Sequence, residues 1–94
     1  MNLEKSKKRI AKKVKMGFQG YPEITISYFG STTDIAERVA VSFVAEEGAE
    51  PMEERFQSKS DAREDQVIQS AIVKMIERSG AKTIKQTEGV KVVQ

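Results

Sequence analysis

The chain has 94 residues, 38% hydrophobic and 32% charged, with no His, Cys or Trp. That length suits one domain with one modest core, and the missing residue types exclude disulfides, thiolate chemistry and histidine-based catalysis or metal ligation. The formal charge of +2 is unevenly spread: residues 1–16 hold seven basic residues and one acidic, a net +6, and the remainder hold nine basic and thirteen acidic, a net −4.

The basic run comes first. Residues 3–16 are good helix formers without Gly or Pro, and Leu3, Ile10 and Val14 recur on one side at helical spacing. The apolar stripe is narrow, so this helix depends on docking against the body. Gly20 and Pro22 end it, and Phe18 and Tyr21 are expected to anchor it to the core. Ile24 to Phe29 alternates β-branched and aromatic residues and reads as a strand, followed by turn residues from Gly30 to Asp34.

Residues 35–45 fit two periods. Ile35, Val39 and Phe43 are spaced as on a helix, whereas Val39, Val41 and Phe43 alternate as on a strand. The β-branched content favours a strand over 37–45, paired with the first as a hairpin. An acidic loop leads to Met52–Gln57, read as a charged edge strand. Asp61 to Ser79 is the clearest helix: Asp61 and Glu64 form a capping-box-like pair, Ile68, Ala71, Ile72, Met75 and Ile76 make the apolar stripe, and Gly80 stops it. A short strand over 82–86 follows, and Val90, Val92 and Val93 offer a last extended piece. The expected fold is α+β. An N-terminal helix, a three-stranded meander, a long helix and a C-terminal strand form a small mixed sheet, covered on one face by helix 61–79. Residues 1–17 form the basic arm and 18–94 the single α+β domain.

Several stretches resemble a known family. They are Arg9-Ile10-Ala11-Lys12-Lys13-Val14-Lys15-Met16-Gly17-Phe18-Gln19-Gly20-Tyr21-Pro22, Tyr28-Phe29-Gly30, Val39-Ala40-Val41 and Glu47-Gly48-Ala49-Glu50-Pro51. Their order is similar to that in a family of small uncharacterised bacterial proteins, from about Lys8 to Ile84. The resemblance implies a strand around Val41 and implies no catalytic residues. Relatives often carry a Cys- and His-rich C-terminal tail with a metal-binding look. This sequence has no counterpart of it, so no metal is carried over.

Three constellations bear on function. Lys5, Lys7, Lys8, Arg9, Lys12, Lys13 and Lys15, with Phe18 and Tyr21 behind them, have the makings of a surface for phosphates and stacked bases. The competing reading is a solvated face, or one neutralised by the body's own acids, for example those between Glu46 and Glu54. Asp61, Glu64 and Asp65 suit an oxygen-ligated cation, but capping and helix-dipole compensation explain them without one. Met16, Met52 and Met75 read as core or boundary gap-fillers. No nucleophile elbow or phosphate-cradling loop is present. No apolar run approaches the ~18 residues that span a bilayer, and no apolar region of a secretory signal follows the cationic start.

The expectation is therefore a non-catalytic, cytoplasmic interaction module that contacts a negatively charged partner through the basic arm. Nucleic acid is favoured over acidic protein, and no cofactor is expected. The alternative is a structural, self-associating protein that forms a homodimer.

Overall fold

The computed structural model describes residues 2–93. Met1 and Gln94, the outer limits of the two expected segments, lie outside the described residues. In chain order the elements are helix α1 (Leu3–Lys15), strands β1 (Glu23–Gly30), β2 (Arg38–Val44) and β3 (Met52–Gln57), helix α2 (Gln66–Ser79), and strands β4 (Thr83–Gln86) and β5 (Lys91–Val92). This is the expected α+β architecture.

The sheet runs β3-β2-β1-β4, with β5 beside the end of β1. β2 pairs antiparallel with both β1 and β3. The helical crossover from β3 carries the chain to the other side of β1, where β4 and β5 pair parallel to it. Within 35–45 the expected strand forms as Arg38–Val44, as its β-branched content indicates. Ile24, Ile26 and Tyr28 of β1 stand beside Phe43, Val41 and Val39 of β2. They share one face, and all but the half-buried Phe43 are buried. That face packs under the helices.

α2 begins five residues later than its pattern suggests. Ala62–Glu64 is a separate 3-10 turn capped by Asp61, and Asp65 adopts an extended backbone that breaks the run. Asp65 is the true cap of α2, accepting the N–H groups of Val67 at 3.0 Å and Ile68 at 3.2 Å. The expected Asp61–Glu64 capping box is absent because Glu64 points elsewhere, toward α1. Tertiary bonds fix the break: the Ala62 N–H donates to the Ala36 carbonyl, and the Ser58 hydroxyl donates to Asp65. The buried face of α2 is Ile68, Gln69, Ile72, Val73 and Ile76. Ala71 and Met75 are only half-buried, and Val67 is exposed. Gly80, with φ 67°, ends the helix in the left-handed conformation.

α1 is docked. Asn2 caps it by accepting the Lys5 N–H at 2.9 Å. Ile10 joins the core, with Leu3 and Val14 half-buried beside it. Ser6 is fully buried and meets Ser70 of α2, 3.4 Å between hydroxyls, a small-on-small contact that brings the two helices close. Both helices pack on one side of the sheet. Among the described residues no helix lies on the opposite, bare face, where residues 19–20 cover Thr83 at the β4 end.

Candidate nucleic-acid interface

With Ile10 inward, the helical repeat of 100° per residue places Lys5, Lys8, Lys12 and Lys15 within an arc of about 80° on the far side of α1. At 1.5 Å rise per residue they form a ridge about 15 Å long. All four are exposed, and among the described residues none has an ion-pair partner. Lys13, also exposed, flanks the ridge one turn beyond Arg9.

Lys7 and Arg9 do not belong to this surface. Lys7 Nζ lies 2.6 Å from Glu64 Oε1, and Arg9 lies 2.8 Å from Glu77 of α2. The Glu64 hydrogen bond holds the Lys7 ammonium above its ordinary range, with burial opposing it. These contacts are intramolecular clamps. Their acids are Glu64 and Glu77, not those between Glu46 and Glu54. Two of the seven arm cations thus serve the fold and five face water.

Of the two aromatics expected to anchor the arm, Tyr21 is half-buried and Phe18 departs from expectation. Phe18 is 61% exposed and meets Tyr21 edge-to-face, with ring centroids 5.6 Å apart. It does not anchor the arm. That task falls to Ile10 and Ser6, and beyond the helix to Thr83, whose hydroxyl accepts the Gln19 N–H at 2.8 Å and donates to the Gly20 carbonyl at 2.6 Å. Phe18 is left at the C-terminal end of the lysine ridge with its ring available. It borders a groove of about 380 Å³ that continues to Thr25, Lys85 and Gln86 at the β4 edge.

On its other flank α1 borders a cleft of about 600 Å³, lined by Lys7, Lys8, Arg63, Glu64 and Gln69 and floored by Tyr28. Here the polar groups serve one another. The Gln69 amide donates to the Tyr28 hydroxyl and to the Ala62 carbonyl, and Arg63 grips Asp61 through Nε and a terminal nitrogen. The Arg63 bonds pull the Asp61 carboxyl below its usual value, against the smaller effect of burial. Asp61, Glu64 and Asp65 are therefore engaged with Arg63, with Lys7, and with the α2 cap and Ser58. Among the described residues there is no group of three or more Asp or Glu that could hold a metal ion, and no helix is long and apolar enough to cross a membrane.

A second basic group has no signature in the linear sequence. Arg38, Arg55, Lys85 and Lys91 come from four different strands, and only the register brings them to one face. No known protein family, curated protein or solved structure matches the chain.

Proposed function

We propose that this protein is a non-catalytic binding module that contacts the phosphate backbone of nucleic acid through the lysine ridge of α1. The observation that carries the reading is the uncompensated row Lys5, Lys8, Lys12 and Lys15 on a helix where Lys7 and Arg9 are tied down by acids of the body. Burying Ile10 and clamping Lys7 and Arg9 orients the helix, so the four ammonium groups are presented together. A lysine is a point charge suited to phosphate without base reading, which points to sequence-tolerant binding. Phe18 at the end of the ridge adds a stacking surface.

The test is mobility shift of mixed RNA and DNA at about 50 and about 200 mM salt. Binding is expected at the lower salt, weakening steeply at the higher. The variant with Lys5, Lys8, Lys12 and Lys15 all changed to Gln should bind far more weakly. Absence of binding at low salt, or equal binding by the variant, overturns the reading.

One observation favours a second reading, self-association. β3 ends the strand order, so its outer edge has no strand partner among the described residues. Beside it lies an apolar hollow of about 410 Å³, lined by Ile24, Val41, Phe43, Met52 and Met75. Met52 is 70% exposed there, not a core filler. A homodimer through this edge predicts a concentration-dependent mass in sedimentation that Met52→Glu abolishes. A constant monomer mass rejects it.

A further inference from the structure

We infer that the bare face of the sheet is a stacking platform for an unpaired base of a single-stranded nucleic acid, with Phe29 as its floor. The inference rests on the phosphate-binding reading of α1 and adds to it a second contact surface and a preference for single strands.

The register builds this face row by row. Phe29 lies directly between Arg38 of β2 and Lys91 of β5, with Gln57 beyond Arg38. The next row is Ser27, Ala40 and Arg55, and the one after it is Lys85, Thr25, Ser42 and Glu53. The centre of the face is thus made of short side chains, with long cations standing around it. Arg38 and Lys91 have no ion-pair partner among the described residues, whereas Lys85 meets Glu23 and Arg55 meets Glu53, each at 3.3 Å. The face is therefore net positive.

Among the described residues Phe29 is the one aromatic side chain that the strands place on this side, because alternation sends Tyr28, Phe43 and Phe56 to the helices. A hollow of about 260 Å³ opens over it, bordered by Arg38, Ala40, Arg55 and Val93. A planar ring above an aromatic floor, flanked by guanidinium groups, is the arrangement that binds a base by its π-face and the adjoining phosphate by charge. A base paired within a duplex has no free face to offer. A second copy of this chain is a poor occupant, since its own cations would be brought against these.

The route between the two surfaces is also present. The groove lined by Val14, Gly17, Phe18, Thr25 and Lys85 leads from the C-terminal end of α1 toward this face around the β4 edge. A flexible single strand can follow that turn, and a stiff duplex cannot.

The experiment uses the full chain with a labelled single-stranded oligonucleotide of roughly 12 nucleotides and the duplex of the same sequence. Phe29→Leu keeps an apolar side chain and removes the aromatic face. Arg38→Gln removes the charge of an exposed residue and keeps a polar side chain. Each is expected to weaken single-strand binding roughly five- to ten-fold while leaving duplex binding, carried by the ridge, within about two-fold. Amide resonances of Thr25, Ser27, Phe29 and Ala40 of the native chain should shift with the single strand and stay in place with the duplex. That readout does not depend on any variant folding. If both variants bind single strands like the native chain and those amides do not move, the platform is wrong, and loss of binding in the ridge variant would leave the α1 reading standing. If Phe29→Leu or Arg38→Gln changes the sedimenting mass but not oligonucleotide affinity, the face is a self-association surface and the inference fails. If no nucleic acid binds at all, both proposals fall.

Discussion

Gln69 is polar yet only 2% exposed, and its amide stays inside because it donates to the Tyr28 hydroxyl at 3.0 Å and to the Ala62 carbonyl at 2.9 Å. Gln69→Leu fits the space but strips a donor from Ala62. It should lower stability by about 1–3 kcal/mol in urea unfolding, whereas Tyr28→Phe, which leaves Gln69 bound to Ala62, should cost about 1 kcal/mol. Burial raises the Tyr28 hydroxyl's pKa, with the Gln69 hydrogen bond opposing it. The unfolded tyrosine ionises first, so Tyr28 contributes stability below about pH 10 that is lost as pH rises further. Thermal melts of Tyr28→Phe should show a shallower alkaline decline. Asp61 acts at the other end. Its carboxyl is depressed by Arg63, so its contribution is present above about pH 4 and lost as pH falls through the lower folded value. Asp61→Asn should flatten the acid limb of the stability profile, and an unchanged limb would show that Arg63 does not hold Asp61 in solution.

Two elements depend on single residues. Asp65 caps α2 through two backbone N–H groups, so Asp65→Ala should cost about 1–2 kcal/mol. The corresponding loss at Asp61, which caps only a three-residue turn, should appear mainly in its Arg63 pair. Gly30 closes β1 under the following loop, and a Cβ there would lie 2.1 Å from the Ile35 carbonyl oxygen, which is backbone and cannot step aside cheaply. Gly30→Ala is therefore expected to destabilise by about 1–3 kcal/mol or to displace the 31–37 loop, seen as lost amide protection in hydrogen exchange. β1 was legible from alternation, because a half-buried strand writes its two faces into the sequence, whereas β2 also fitted a helical period and needed its β-branched content to decide it. The start of α2 was not legible. Asp61 and Asp65 both satisfy the capping rule, and the choice between them is made by Ala36 and Ser58, contacts that no local pattern carries. Gly30 read as a turn residue, but its closeness to Ile35 is equally tertiary.

Across the whole molecule, charge was easy to count and hard to place. The cationic run stands out in the sequence, yet the two acids that neutralise part of it lie 57 and 68 residues away. The remaining ridge follows from the spacing of Lys5, Lys8, Lys12 and Lys15 once Ile10 is known to face inward. The second cationic surface, around Phe29, depends on strand order and register, which is why no motif announced it. Both surfaces belong to a fold whose helices occupy one side of the sheet, leaving α1 and the bare face free for contact. The claim at the centre is that four ammonium groups act together on phosphates. The slope of log affinity against log salt for a single-stranded oligonucleotide measures it directly, each neutralised phosphate adding about 0.7 to its magnitude. Changing Lys5, Lys8, Lys12 and Lys15 to Gln should reduce that magnitude by about 3. A native chain and variant with the same slope would contradict the account.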